Sequence, residues 1–415
     1  MTLSLARRAE QFPDRTAVVD ISEQRLYAPA ETIHEDRVSY DELSTIATRT
    51  AERLAALDIG PGDTVCLVTR NRVAALALFF ACRRLGATFA PISHLLTPAS
   101  VERPFDVLEP DIVVSEAAQR DLVRSIPFDR AVTLEELADA DRADINVDGQ
   151  PSGANPVLAI HGDSGRPITG YSADTIERNC ETGVSVWGLA ANDTVPLTTR
   201  LSAVDGLVRV ALSVLYVGGT LLLDRAFDPG DATTAIVEEE ATLLFGRETV
   251  LRDIAAESDF DAAADSIERA ICEAPVEDDV IAAYRDRDVP VTQVYGRLEC
   301  PTALSQEFET DADSTGANTD GTSVGRPVPG CRTRLVDEDG TVLEGQADGR
   351  LRLSGPMVAD GYVSGAGTDD ENWYEPAELE SADDDETEDR GRFTDDWFDT
   401  GDQFRRDEAG VYYRR

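Results

Sequence analysis

Glycines at 162, 165 and 170 punctuate a loop that begins where a short apolar run, residues 157–160, ends. Between them stand Asp163, Ser164, Arg166 and Thr169, side chains able to hydrogen-bond, cap or carry charge. A helix-like segment follows at about 173–184. Strand, glycine loop and helix is the order in which backbone N–H groups gather around a phosphate. Glycine lets the main chain come close, and the helix end is partly positive. No Gly-Lys-Ser/Thr closes the loop, so it is not a Walker A loop. An ordinary strand-to-helix turn uses the same residue types, and on this stretch alone that alternative stays open.

Two more stretches follow strand-like runs: Cys272-Glu273-Ala274-Pro275 and Tyr295-Gly296-Arg297-Leu298-Glu299. Ligands in α/β sheets sit beyond the carboxyl ends of the strands, so these stretches and the glycine loop are expected to line one crevice. Glu299 is a candidate metal ligand and Tyr295 a candidate to stack on a base. Turn residues and solvated carboxylates look the same in isolation.

The elements that must position these groups read as alternating helices and strands. Leu43, Ile46, Ala47, Leu54 and Leu57 share one helical face, and Gly60-Pro61-Gly62 ends that unit. Residues 64–69 read as a buried strand, 73–85 as a helix stopped by Gly86, and 87–92 and 111–115 as strands. The alternation resumes with helices at 203–216, 232–239 and 278–285 and strands at 219–224, 242–245, 269–272 and 289–295. This pattern predicts an α/β fold with parallel-rich sheets in two subdomains, residues 1–155 and 156–305. Residues 306–415 predict a smaller β-rich subdomain, with half-exposed strands at 331–336 and 349–354. Residues 139–153 read as a linker, 311–322 as a polar loop and 375–391 as an acidic insertion.

Composition narrows the function classes. The 415 residues carry 80 acidic and 38 basic side chains, a net charge of −42, and every basic one is arginine. Such an acid excess fits a protein kept soluble in a very salty cytoplasm. It leaves no basic patch for nucleic acid or an anionic membrane surface. Six cysteines without a Cys-x-x-Cys pair, and three histidines, give no zinc pattern. Structural thiols in a reducing compartment are expected. The apolar run 74–81 is too short to span a bilayer, and no long apolar segment follows Arg7-Arg8, so a cytoplasmic protein is expected.

Taken together, these motifs resemble those of the AMP-forming acyl-CoA synthetases of the adenylate-forming superfamily, in order and along the whole chain. The family's Thr-Ser-Gly-Thr-Thr-Gly-x-Pro-Lys-Gly phosphate loop falls on residues 160–169, its Gly-Gly-Ala-Pro adenine turn on 272–275, and its Tyr-Gly-x-Thr-Glu segment on 295–299. Thr400-Gly401-Asp402 matches its Thr-Gly-Asp. Gly325 to Gly330 and Gly355 to Tyr362 match further family segments.

The resemblance implies the large N-terminal domain of the acyl-CoA synthetase fold. It implies phosphate binding by Gly162, Asp163, Ser164, Gly165, Arg166 and Thr169. Nucleotide binding falls to Glu273, Ala274, Pro275, Tyr295, Gly296 and Asp402, and Mg²⁺ to Glu299. ATP or AMP, Mg²⁺ and CoA are the implied cofactors, and the substrate is a carboxylic acid whose chain length is not specified. The implied reaction makes an acyl-adenylate and pyrophosphate, then an acyl-CoA.

Several positions depart from the family pattern. The loop lysine is Ile168, its first threonine Asp163 and its second Ser164. Leu298 replaces a threonine, Cys272 and Glu273 replace two glycines, and Arg200-Leu201-Ser202-Ala203 falls where Pro-Leu-Phe-His is usual. The chain stops at Tyr412-Tyr413-Arg414-Arg415, so the family's C-terminal lid domain is expected to be absent. Two functions follow as expectations. One is a ligase of fatty acid metabolism type, working alone, as a homo-oligomer or with a separately encoded lid protein. The other is a noncatalytic nucleotide- or acyl-binding relative, or a partner subunit of a ligase.

Overall fold

The computed structural model describes residues 3–22, 36–126, 128, 130–145, 156–307, 321–363, 392–394 and 396–415. The acidic run 375–391, residues 146–153 of the linker and residues 311–320 of the polar loop lie outside the described residues.

Among the described residues the chain forms three sheets covered by helices, a mixed α/β fold with parallel-rich sheets. In the first sheet, strands Ala131–Thr133, Ile112–Ser115, Thr64–Thr69, Thr88–Ser93 and Leu158–His161 run parallel. Ile168–Tyr171 and Gly361–Tyr362 continue it antiparallel. The strand Thr64–Thr69 is buried along its whole length, as its unbroken apolar run predicts for a parallel strand covered on both faces. The helix Val73–Leu85 follows, and Gly86 ends it in the left-handed region at φ 74°. Helix Tyr40–Ala56 begins with a capping box, Ser39 and Glu42 each satisfying the other's backbone N–H.

A second sheet pairs Arg37–Ser39, Thr16–Asp20, Thr220–Leu223 and Thr194–Leu197. The third begins with the parallel strands Leu243–Arg247, Arg269–Glu273 and Val291–Arg297, then turns antiparallel through Cys300–Ser305. It runs on through the β-rich C-terminal strands, among them Ala347–Ser354 and Trp397–Arg406. These sheets cross the divisions drawn at 155 and 305. Leu158–His161 completes a sheet built from earlier residues, Thr16–Asp20 pairs with Thr220–Leu223, and the third sheet joins residues on both sides of 305.

One local reading is corrected. The glycine stretch is not strand, loop and helix but a hairpin: Leu158–His161 pairs antiparallel with Ile168–Tyr171. Ile168 and Thr169 are strand residues, and helix Ala173–Trp187 starts only after the second strand, capped by Ser172. Four residues around a glycine are too few to show period-2 alternation, so the second strand was hidden. The segment read as a helix over 203–216 is helical, beginning as a π-helical stretch, Asp205–Leu212, and continuing as the α-helix Ser213–Val217.

Candidate functional site

A cleft of about 200 Å³ opens where the ends of the first and third sheets face the Asp205–Leu212 stretch. His161, Gly162 and Asp163 line it from the hairpin, Gly296, Arg297 and Leu298 from the third sheet, and Arg200 and Asp205 from the segment between. Arg247 and Glu273, at the ends of two parallel strands, complete it. This is the crevice position that the order of the sheets predicts.

His161 ties the hairpin to the neighbouring strand. Its Nε2 accepts the Ser93 N–H at 3.0 Å, so the proton sits on Nδ1, which donates to the Gly162 carbonyl at 2.6 Å. Burial pushes the imidazole below its usual range, against the pull of that carbonyl and together with Arg200, so the ring is neutral. Gly162 is required by close approach, since a Cβ there would lie 2.7 Å from the Arg166 carbonyl oxygen. Asp163 points outward and pairs with Arg200 at 3.3 Å, while Arg200 also donates to Ser93 Oγ at 3.2 Å.

The rest of the hairpin tip turns away from the cleft. Arg166 donates to the Arg103 carbonyl at 3.4 Å and lies 3.7 Å from Asp106, both on helix Glu102–Leu108. The Ser164 carbonyl accepts from Arg103, and Gly165 packs against Ser100 and Pro104. Thr169 is buried in its strand, and Ile168 belongs to an apolar cluster with Ala159 and Val363. Of the six residues assigned to phosphate, the fold brings Gly162 and Asp163 to the cleft.

Behind the lining residues Arg297 and Leu298 lie two carboxylates held by hydroxyls. Glu299 is 3 % exposed; Tyr362 donates its hydroxyl to Oε1 at 2.6 Å, and Oε2 has no hydrogen-bond partner among the described residues. Burial raises the Glu299 carboxyl above its usual range, with Tyr362 opposing. Asp402 accepts the Tyr295 hydroxyl at 2.5 Å and pairs with Arg297 at 3.4 Å and Arg414 at 3.6 Å. The Tyr295 ring is 2 % exposed, meets Phe404 edge-on at 4.8 Å, and has the Arg414 guanidinium 5.6 Å from its centroid. It is therefore a buried link to Asp402, not an open face for a base. Gly296 is fixed by sterics, because a Cβ would fall 1.9 Å from the Pro301 carbonyl oxygen. Of the adenine turn, Glu273 faces the cleft, Ala274 is buried in the C-terminal core and Pro275 is exposed outside it.

Four charged residues at the base of the cleft form a group that the sequence reading did not single out, apart from Glu273. Arg209 lies 3.1 Å from Asp205 and 4.0 Å from Glu273; Arg247 lies 3.5 Å from each acid. Burial and the neighbouring Asp205 raise the Glu273 carboxyl, against the two guanidiniums. Asp205 and Arg209, four apart in an otherwise apolar segment, were the available signal. The turn bearing Arg200 is held by Asn71, which donates to the Thr199 carbonyl at 3.1 Å and accepts the Leu201 N–H at 2.8 Å. Next to Asn71, Glu116 accepts from Arg70 and Arg72; burial would raise its carboxyl, but these two bring it down to about 2.

An α/β scaffold with a cleft at strand ends, a glycine hairpin on one side and acidic strand-end residues on the other has its candidate ligand site where such folds hold ligands. The chain belongs to the AMP-binding enzyme family, whose model matches residues 5–163 and 171–363. This places it in the adenylate-forming superfamily of the acyl-CoA synthetases. It is 28% identical over 332 residues to a feruloyl-CoA synthase of an Amycolatopsis species, covering 78% of this chain and 66% of that one. It therefore spans about two thirds of that relative's length. It is 23% identical over 419 residues to the 2-succinylbenzoate–CoA ligase of Bacillus licheniformis, covering 99% and 78%. Its fold is similar to O-succinylbenzoate coenzyme A synthetase from Bacillus subtilis in complex with AMP, with a TM-score of 0.80, 19% identity and coverage of 99% and 97%. ATP-bound MatB from Rhodopseudomonas palustris matches with a TM-score of 0.79, 23% identity and coverage of 100% and 78%. Among the described residues no helix is long and apolar enough to cross a membrane.

Proposed function

We propose that this cleft binds an adenylate as in an AMP-forming acid–thiol ligase, with AMP or an acyl-adenylate preferred over ATP and a slow adenylation step. The observation that carries the reading is the charge arrangement. Arg200, Arg247 and Arg297 line the cleft with Asp163, Asp205 and Glu273, so the formal charges cancel. Each of these arginines already pairs with an acid within 3.5 Å. Phosphoryl transfer needs cations and donors fixed around the reacting phosphorus and the leaving pyrophosphate. Here the hairpin offers Asp163, an anion, and buries Ile168 where the resembled family has lysine.

The metal fits the other end. Mg²⁺ is typically held by one or two carboxylates plus substrate phosphates and water, and Glu299 offers a buried oxygen without a hydrogen-bond partner. When bound, Mg²⁺ would neutralise phosphate charge, while Tyr362 orients the carboxylate that holds it. Asp402, aimed by Tyr295 and Arg297, supplies an acceptor for ribose hydroxyls.

The alternative, a noncatalytic nucleotide- or acyl-binding relative, draws on the same paired arginines. ATP–pyrophosphate exchange in molar KCl across a panel of carboxylic acids separates the two. Slow, acid-dependent exchange supports the ligase; AMP binding without any exchange supports the noncatalytic reading.

A further inference from the structure

Beyond Asp205, Arg247 and Glu273 the cleft continues into a narrow cavity of about 20 Å³, walled by Phe245, Ile271 and Val294. That is little more than the space one water needs. Phe245 is 4 % exposed and is backed by Trp187, whose ring it meets edge-on at 5.0 Å. One polar atom at this cavity, Thr199 Oγ1, is buried and makes no hydrogen bond among the described residues, and beside it Glu273 Oε2 has ion-pair partners, Arg247 at 3.5 Å and Arg209 at 4.0 Å, but no hydrogen bond. A buried polar atom left unbonded is costly, so a ligand that supplies its partner gains affinity.

Resting on the adenylate reading above, we infer that the acid accepted here is a short hydroxy acid, its hydroxyl seated between Thr199 and Glu273. A long alkyl tail does not fit the volume. A second carboxylate finds no surplus positive charge, because Arg209 and Arg247 already face Asp205 and Glu273. An ammonium group would sit against the same two guanidiniums. A hydroxyl donates to one acceptor and accepts from the Thr199 hydroxyl without adding charge.

The test uses non-hydrolysable acyl-sulfamoyl adenosines bearing 3-hydroxypropionyl, butyryl, succinyl, β-alanyl and hexadecanoyl groups. Each is titrated calorimetrically into the protein in molar KCl, with AMP as reference. The hydroxyacyl analogue is expected to bind about tenfold tighter than the butyryl one of similar size. The hexadecanoyl, succinyl and β-alanyl analogues are expected to bind more weakly than butyryl. Thr199→Val should bring the hydroxyacyl-to-butyryl ratio towards one, and a ratio taken within one variant does not depend on how much of the protein is folded. Phe245→Ala should improve hexadecanoyl binding relative to hydroxyacyl. AMP binding accompanied by a hexadecanoyl, succinyl or β-alanyl analogue as tight as the hydroxyacyl one would overturn this inference alone. A hydroxyacyl-to-butyryl ratio near one, or unchanged by Thr199→Val, would do the same. No binding of AMP would overturn the adenylate reading and the inference with it.

Discussion

At the hairpin end of the cleft the loop's charges are taken up by partners outside the loop; at the Tyr295–Glu299 end two acids are oriented by tyrosine hydroxyls. Asp163 takes Arg200, Arg166 turns to Asp106, and Ile168 is sealed in an apolar cluster. Glu299 and Asp402 instead each accept a tyrosine hydroxyl, within 2.6 Å, that fixes their direction. Both ends resemble one family's motifs in sequence. The fold shows that motif position and chemical readiness are separate properties. A residue can sit at the right place in the chain and have its side chain used elsewhere.

The largest expected effect is on turnover. Losing one preorganised group at a developing charge typically costs about 10²- to 10³-fold. Thioester formation with CoA by this chain, in molar KCl, should therefore fall that far below the usual range of about 1–10³ per second. Turnover inside that range would break the contrast, because it would mean that arginines such as Arg200 serve the phosphates after all.

Ile168→Lys sharpens it. Were the hairpin one substitution from competence, restoring the lysine would raise adenylation. Ile168 is 2 % exposed and packs with Ala159 and Val363, so the charge would be buried without a partner. A loss of about 3–5 kcal/mol in stability, with no gain in exchange rate, is expected in a denaturant titration.

Glu299→Gln probes the opposite end. The amide keeps an oxygen for Tyr362 and removes the charge. Burial holds the Glu299 carboxyl above its usual range, so the folded state keeps its proton longer than the unfolded chain does. That stabilising contribution is full below the usual carboxylate pKa and is lost as pH rises through the folded value. The variant should therefore melt like the parent at low pH and higher than it near neutrality, while nucleotide affinity loses its dependence on Mg²⁺. Undiminished Mg²⁺ dependence would remove Glu299 from the metal site.

The smallest effect is at Asp163. Asp163→Asn releases Arg200, and the ratio of ATP to AMP affinity should rise about threefold, the scale of an exposed ion pair. No change in that ratio would show that the pairing does not restrain Arg200.

Much of the scaffold was legible in the sequence because its signals are local. The unbroken apolar run at Thr64–Thr69 and the helix Val73–Leu85 with Gly86 behind it have the bounds that the pattern implies. The helix Asp278–Arg285 does too. The hairpin strand Ile168–Tyr171 was hidden by its length and by Gly170. Sheet membership was hidden because pairing between Thr16–Asp20 and Thr220–Leu223 leaves no mark on either segment. At the site, the sequence pointed to Gly162, Asp163, Glu273 and Gly296, which line one crevice, and to Glu299, which is buried next to the lining residue Leu298. Arg209 and Arg247 escaped notice and Arg200 stood out only as a departure from the family pattern, since their partners Asp163, Asp205 and Glu273 are mostly distant in sequence and meet them only in the fold. The directions taken by Arg166 and Tyr295 are equally tertiary facts.

The most direct test of the contrast is a pair of calorimetric titrations, AMP and ATP, in molar KCl with Mg²⁺. Paired arginines at the hairpin and tyrosine-oriented carboxylates at the far end predict that AMP binds at least as tightly as ATP. A clear preference for ATP would contradict the account, because the hairpin would then be cradling the β- and γ-phosphates.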